Sequence, residues 1–374
     1  MPLPRRGQDE VAAHHSTLKG SDIIPMGQLL RFCRASAAII GIFIICATET
    51  ARASCDEWKI LSETDSGLLA AWGTVRSGPD GALGSNRERY VGVASQRYTF
   101  NLLPIAVPKG DVAEVGRALS FAEYAFAHQR SDGGFDYFAN PNPRGAVPDA
   151  AFFLYDFGHT LLLLGHSAWF QQSAEASQLR QRLSTLRSKT ERTLSWLVSQ
   201  SHVLDADNKA MNRVLVYASA YTLLGQALDR EDGRQVGARF AEKALIMELP
   251  DGTMLENGGF DSAYQGVSLF VGRSLHCYFP ENQAALRDRV KDGLERGAVR
   301  LIQSIDDRGR ISTVANTRVR DDMHGEFDNG RAKSLDPRYA ALGLQYAGAV
   351  GRNPKVQAAA ELVAKFYFRK KSNP

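Results

Sequence analysis

The segment from Pro250 to Gly266, PDGTMLENGGFDSAYQG, lies between two helical patterns and shows how this chain is built. An amphipathic helix pattern ends before it, an Asp-Gly turn opens it, and a second helix pattern begins at Ser262. Its glycines allow the backbone to adopt positive φ angles and to approach a ligand closely. Helix, glycine-rich polar loop and helix therefore form the unit from which the rest of the sequence can be interpreted.

The same unit occurs at two other places in the chain. Residues Asp132–Asp136 (DGGFD) follow one helix pattern, and Asp307–Arg310 (DRGR) follow another. A helix, an Asp-Gly turn and a second helix that recur at irregular spacing indicate antiparallel helix pairs. We therefore expect an all-α fold with few short strands, and more specifically an α/α toroid, an incomplete barrel of antiparallel helix pairs. An ordinary helical solenoid or bundle is the alternative.

Hydrophobic periodicity predicts nine helices from residue 112 onward. Asp149 is expected to cap the second of them. The patterns cover Val112–Gln129, a helix through Leu164, Ala176–Ser201, Met211–Leu228, Arg234–Met247, Ser262–Phe279, Gln283–Ile305, Pro337–Val350 and Pro354–Phe368. Short strands are expected only at Tyr90–Val93 and Arg310–Val314, and residues 56–110 are expected to mix helix and loop.

Length, composition and charge are those of an ordinary globular protein. The chain has 374 residues, of which 44% are hydrophobic and 23% charged, so it can bury a full core. Its formal net charge of +4 is small for this length, which argues against a nucleic-acid partner. A polyanionic ligand would need a local basic groove.

The first 53 residues have the layout of a secretory signal. Arg31 and Arg34 precede the apolar run Ala37–Ile45, which is too short to span a bilayer comfortably. Ala51 and Ala53 supply small residues at the positions that a signal peptidase reads. We therefore expect residues 1–53 to be a signal peptide, with an uncleaved anchor as the alternative. Translation could also begin at Met26.

Cleavage after Ala53 would leave residues 54–374 as a single catalytic domain with no stable membrane span, in the periplasm or secreted. Cys33 and Cys46 would leave with the signal, so that Cys55 and Cys277 remain. An oxidising compartment permits a disulfide between them. The sequence does not show whether the two cysteines meet.

The helix-turn rhythm, the export signal and the polar block of residues 251–265 resemble the α/α-toroid polysaccharide lyases, broadly the alginate lyase and heparinase-like group. The resemblance covers roughly residues 110–350, and the Asn-Asn-His run typical of one alginate lyase family is absent. It implies an exported enzyme that cleaves a uronate-containing polysaccharide by β-elimination. In this fold such lyases often use a tyrosine as acid, and sometimes as both acid and base.

Elimination at a uronate requires the proton at C5 to be removed beside a carboxylate, whose charge must be neutralised. Tyr264, at the opening of a helix, is the candidate acid or base. Asn212 and Arg213 could hold the carboxylate, since an amide and a guanidinium suit it. His159, inside the pattern Tyr155–His159, could neutralise the uronate or assist proton transfer.

Two other functions fit the same residues. An inverting glycoside hydrolase needs two carboxylates, and Glu256 could pair with Asp261, Asp136 or Asp149. A non-catalytic polysaccharide-binding or export protein would bind the polymer without cutting it.

Further polar and aromatic side chains are candidates for holding the polysaccharide. Aromatic faces pack on the apolar faces of sugars, and loop amides, acids and cations bind hydroxyls or carboxylates. The expected substrate-binding residues are Asp261, Asn257, Tyr137, Phe260, Arg318 and His324. No metal and no cofactor is expected, because no known calcium, zinc, phosphate or dinucleotide motif occurs. The oligomeric state stays open.

Overall fold

The computed structural model describes residues 55–138, 145–317, 326–328, 331–333 and 335–369. Ala51–Pro374 form one compact unit, and the described part of it is mostly helical, which confirms the all-α prediction. The α-helices are α1 Glu57–Ser62, α2 Ser66–Trp72, α3 Leu103–Ala106, α4 Val112–Ala127, α5 Ala146–Gly165, α6 Ala168–Gln172, α7 Ser177–Ser199, α8 Ser201–Leu204, α9 Met211–Ala227, α10 Glu231–Ile246, α11 Ser262–Tyr278, α12 Ala284–Ile302, α13 Pro337–Gly351 and α14 Pro354–Tyr367. Two antiparallel strands, β1 Glu326–Asp328 and β2 Arg331–Lys333, precede α13.

Several helices begin where an aspartate or asparagine side chain accepts hydrogen bonds from the first turn. Such a cap satisfies backbone N–H groups that have no partner within the helix. Proline at the start of α13 and α14 adds a φ angle that already suits a helix. The capping residues are Asp56, Asp65, Asp111, Asp261, Asp336 and Asn353.

Helices α5, α9, α11 and α13 form an inner row. Helix α9 packs between α5 and α11, and α11 packs between α9 and α13. Gly158 of α5 lies against Leu223 of α9, and Gly266 of α11 lies against Ala340 of α13. Gly266 and Ala340 lie in the first turns of α11 and α13. Gln226 at the end of α9 donates to the Tyr278 carbonyl at the end of α11, and His166 after α5 stacks on the same tyrosine. The four helices therefore run parallel, and their N-termini share one end of the molecule.

Helices α4, α7, α10, α12 and α14 form an outer row in which each contacts the next. These helices are amphipathic and bury one apolar face against the inner row, whereas α9 is buried on nearly all sides. The hydrophobic core therefore lies mainly between the two rows.

Four turns of identical length connect outer-row helices or α2 to the segments that follow. Each is closed by an antiparallel bridge between its first and seventh residues, and each has a glycine with positive φ at the fifth. At Gly252, φ is 84°, and an added Cβ would lie 2.3 Å from the carbonyl oxygen of Arg296 in α12. Only glycine fits there. The turns are Ser77–Leu83, Gln129–Phe135, Glu248–Met254 and Ile305–Ile311, so the three similar loops of the sequence have a fourth counterpart.

The segment before α4 mixes short helices and loops, as predicted, and it contacts both ends of the inner row. Trp72 packs on Phe270 of α11 and Tyr339 of α13, with ring centroids 4.6 and 5.1 Å apart. Phe100 stacks on His159 of α5 at 4.1 Å. The segment therefore lies between α13 and α5.

Three sequence expectations about local structure were wrong. Tyr90–Val93 is not a strand, because Val91 and Gly92 donate their N–H groups to the Asn86 side chain instead of to a neighbouring strand. Arg310–Val314 is not a strand either, since Ile311 only closes its turn with Ile305. Asp149 does not cap α5, which begins at Ala146.

Cys55 and Cys277 form a disulfide, with Cα atoms 5.2 Å apart. The bond joins a residue two positions before α1 to the C-terminal part of α11. It settles the pairing that the sequence left open, and it holds the first helix against the inner row.

Candidate functional site

The starts of α9 and α11 are joined by backbone pairing, and we call residues 207–213 and 255–264 the α9–α11 junction. Ala210 forms a bridge with Glu256. The Met211 N–H donates to the Leu255 carbonyl at 2.8 Å, and the Asn257 N–H donates to the Lys209 carbonyl at 2.6 Å. Polar residues from two distant parts of the sequence are thus held side by side.

A tight hairpin forms the outer part of this junction. Asn257 and Gly258 have φ angles of 49° and 94°, and Glu256 bridges Gly259 around them. Two successive positive φ angles at Asn-Gly are typical of a type I′ turn. The hairpin borders a pocket of about 390 Å³, lined among the described residues by Asn208, Lys209, Leu255, Asn257 and Gly258.

Glu256 and Asp261 are both buried at the junction, with 1% and 0% of their surface exposed. Asn257 Nδ2 donates to Glu256 Oε1 at 2.9 Å. Asp261 Oδ1 caps α11 by accepting from the backbone N–H groups of Ala263 and Tyr264 at 3.0 and 3.1 Å. The hairpin and the cap therefore give both acids a structural role, whatever chemistry they perform.

Asn212 and Arg213 lie in the first turn of α9 but in different surroundings. Asn212 is 5% exposed, and its Oδ1 has no hydrogen-bond partner among the described residues. Arg213 is partly exposed, and its Nε lies 2.9 Å from Asp207 Oδ2, which also accepts from the Tyr217 hydroxyl at 2.9 Å. The charge of Arg213 is thus already balanced, whereas the Asn212 amide oxygen is open to a further donor.

Tyr264 is half-buried in the first turn of α11. Two residues along a helix are separated by about 200° around its axis. Gly266 faces α13, so the Cα–Cβ bond of Tyr264 leaves α11 on the side away from α13. That side of α11 is the one that packs against α9.

His159 lies inside the core, away from this junction. It is about 20 Å along α5 from Ala146, at 1.5 Å per residue. Its Nε2 lies 2.9 Å from both carboxylate oxygens of Glu57. Burial lowers the pKa of His159 despite the nearby carboxylate, so the neutral ring donates a hydrogen bond from Nε2 to Glu57.

The Glu57 carboxylate also accepts from the Tyr278 hydroxyl at 2.8 Å and lies 3.5 Å from Arg273. Burial alone would raise its pKa, but His159, Arg273 and Tyr278 lower it to about 2. Sequence reasoning missed this buried cluster. The only available signal was that Glu57 follows Cys55 by two residues.

Tyr137 lies at the start of α5, beside Asp149. A Cβ atom built at Gly92 would lie 2.7 Å from Asp149 Oδ2 and 3.3 Å from the Tyr137 ring. The side chains of Asp149 and Tyr137 therefore both lie against the backbone of Gly92. Burial raises the pKa of Asp149 to about 6, although the Ala94 N–H and Arg97 act in the opposite direction. Asp149 is therefore a carboxyl group that can hold a proton near neutral pH.

The remaining predicted binding residues lie elsewhere. Phe260 is 6% exposed, and the Arg300 guanidinium covers its ring at 3.9 Å, so its face is not open to a sugar. Arg318 and His324 lie outside the described residues. The structure thus gathers Asn212, Arg213, Glu256, Asn257, Asp261, Phe260 and Tyr264 at the junction, and places Tyr137 and His159 apart from it.

Searches of protein-family models, curated proteins and solved structures found no match to this chain. Within the described ranges, no group of three or more His, Cys, Asp or Glu side chains is placed to hold a metal ion. No helix in the same ranges is both long and apolar enough to cross a membrane. The function must therefore be argued from the site itself.

Proposed function

We propose that this chain is an exported polysaccharide lyase that cleaves an acidic, uronate-containing polymer by β-elimination, on an α/α toroid. Two features support the toroid. The inner helices run parallel beside an outer row, and the segment before α4 contacts both end helices of the inner row. In such an arrangement the helix N-termini surround a common cleft, and their dipoles favour anionic ligands.

The observation that carries the proposal is the pairing of residues 209–211 with 255–257. It joins the segment before α9, which begins with Met211 and the buried amide of Asn212, to the segment before α11, whose first turn contains the half-buried Tyr264. Residues of both segments line the pocket. β-Elimination requires a group that neutralises the uronate carboxylate and a group that moves a proton, and a tyrosine can move the proton.

Each residue of the junction has a proposed role. Lys209 lines the pocket, is exposed, and makes no ion pair with a described residue, so it would neutralise the uronate carboxylate. The open amide oxygen of Asn212 would accept a hydrogen bond from a neighbouring sugar hydroxyl. Tyr264, as its tyrosinate, would take the C5 proton and then return a proton to the glycosidic oxygen as the C4–O bond breaks. Arg213 and His159 are not used, because Asp207 and Glu57 already bind them.

Export is part of the proposal, and the disulfide supports it. Cys55 lies just after the expected cleavage site at Ala53. Its bond to Cys277 requires an oxidising environment to form and persist. A chain that acts on an extracellular or periplasmic polymer would meet both its substrate and that environment.

The test is to incubate the purified protein with uronate polymers while following both ultraviolet absorbance and new reducing ends. β-Elimination creates an unsaturated uronate that absorbs, so absorbance and reducing ends should rise together. Lys209→Met should raise KM, whereas the exposed control Lys355→Gln on α14 should not. Reducing ends without absorbance would reject a lyase.

An inverting glycoside hydrolase is the second candidate, and one observation favours it. Asp149 has its pKa raised to about 6, as a general acid requires. Glu256, which lies apart from it at the junction, would have to face it across the cleft as the base. Asp149→Asn should then abolish the release of reducing ends, while no unsaturated product forms in the parent protein.

A further inference from the structure

Four aromatic rings form a cluster beside the start of α5, and we call Tyr90, Tyr124, His128 and Phe138 the aromatic platform. The rings of Tyr90 and His128 are stacked at 3.8 Å, and Phe138 stands edge-on to Tyr90 at 6.2 Å. Tyr124 lies 5.0 Å from His128. Phe138 is 67% exposed, so the platform presents an apolar ring to solvent.

Hydrogen bonds hold the platform in place. The Tyr90 hydroxyl donates to the Asp136 carbonyl at 3.1 Å, and the Tyr124 hydroxyl donates to the Asn86 carbonyl at 3.3 Å. The Phe138 N–H donates to the Val91 carbonyl at 2.7 Å. A ring cluster that is fixed before binding loses little conformational freedom when a ligand stacks on it.

The charges around the platform are mainly negative. The negative charges of Asp136 and Asp149 raise the pKa of Tyr90. The charge of Asp80 raises the pKa of Tyr124 and opposes the lowering of the His128 pKa by burial. The positive charge of Arg130 acts on Tyr90 in the opposite direction, but Arg130 forms an ion pair with Asp132 at 3.0 Å. Burial lowers the pKa of His128, so that ring adds no positive charge near neutral pH. The surroundings would therefore repel a carboxylate.

We propose that the aromatic platform is a second saccharide subsite, which binds an uncharged pyranose and not a uronate. The exposed Phe138 ring would cover the apolar face of the sugar, and Asp136 would accept hydrogen bonds from its hydroxyls. This inference rests on the proposed function, because it assumes that one polymer binds at the α9–α11 junction and at the aromatic platform together. It then restricts the substrate to polymers that contain uncharged units beside the uronates.

The test is calorimetric binding of three hexasaccharides: those of glucose and N-acetylglucosamine, both uncharged, and that of mannuronate. The protein variants are Phe138→Ala and the control Phe366→Ala, which removes an exposed phenylalanine from α14. Phe138→Ala should weaken binding of at least one uncharged hexasaccharide about tenfold, the value of one stacked ring. It should leave binding of the mannuronate hexasaccharide unchanged, and Phe366→Ala should alter neither.

Three results would overturn the inference: no binding of either uncharged hexasaccharide, binding that is unaffected by Phe138→Ala, or an equal loss for mannuronate. Asp136→Asn, which keeps the size of the side chain, gives a second measurement. It should strengthen mannuronate binding, and unchanged binding would contradict the role of charge. Lyase activity without Phe138-dependent binding would reject the second subsite and leave the lyase proposal standing. Phe138-dependent binding without lyase activity would reject the lyase proposal and leave the subsite standing.

Discussion

The carboxylate of Glu57 lies 2.9 Å from Nε2 of His159 in the interior of the helical core. The side chains of these residues are 5% and 1% exposed, and the charged group paired with the Glu57 carboxylate is the Arg273 guanidinium, 3.5 Å away. Glu57 belongs to α1, whereas its partners belong to α5 and α11. This contact therefore anchors the start of the described chain to the inner row.

Glu57→Gln should destabilise the protein by about 3 to 5 kcal/mol, because it leaves the buried Arg273 charge without its carboxylate. Urea denaturation followed by circular dichroism measures the free energy of unfolding. Glu63→Gln, an exposed change at the end of the same helix, is the matched control and should have little effect. Equal stability of the two variants would contradict the anchoring role.

Acidification should weaken the same contact. The pKa of Glu57 is lowered from 4.5 to about 2 in the folded state, so its contribution is fully present above pH 4.5 and is lost as pH falls toward 2. The stability difference between the parent protein and Glu57→Gln should shrink over that interval. A difference that stays constant would show that the carboxylate is not preferentially ionised in the folded protein.

The disulfide should contribute to stability through the same region. Replacing both Cys55 and Cys277 by serine should cost about 2 to 5 kcal/mol, since the unfolded chain gains freedom. Thermal unfolding with and without a reductant measures the effect. The reductant should lower the Tm of the parent protein and leave the double variant unchanged; equal Tm values for all samples would reject the prediction.

The geometry that the four turns share gives a test of the fold. Gly252→Ala should destabilise the protein by more than about 1 kcal/mol, because its φ is positive and its Cβ would meet the Arg296 carbonyl. Gly165→Ala is the control, since a Cβ there meets nothing within 4 Å and α5 favours alanine. Equal stability of the two variants would show that the turn is not strained.

Much of the fold could be predicted from local patterns. Helix periodicity and Asp-Gly turns identified the long helices from α4 onward, because each signal lies within a few residues. Tyr90–Val93 resembled a strand by composition, but the Asn86 side chain satisfies its backbone. That interaction depends on a loop conformation that periodicity does not reveal.

The site was predicted only in part. Asn212, Glu256 and Tyr264 were identified because they flank helix starts and glycines, and the structure places them at one junction. His159 was identified by residue type alone. Its partner Glu57 lies about a hundred residues away, so no local pattern could show that the pair is buried.

The most direct test of the proposed function is to compare Tyr264→Phe with the parent protein in the elimination assay. Removing one hydroxyl should lower kcat at least about a hundredfold without loss of fold, because general acid catalysis is lost. Tyr367→Phe, which removes the hydroxyl of a half-buried tyrosine on α14, is the control and should keep full activity. Full activity in Tyr264→Phe would contradict the account.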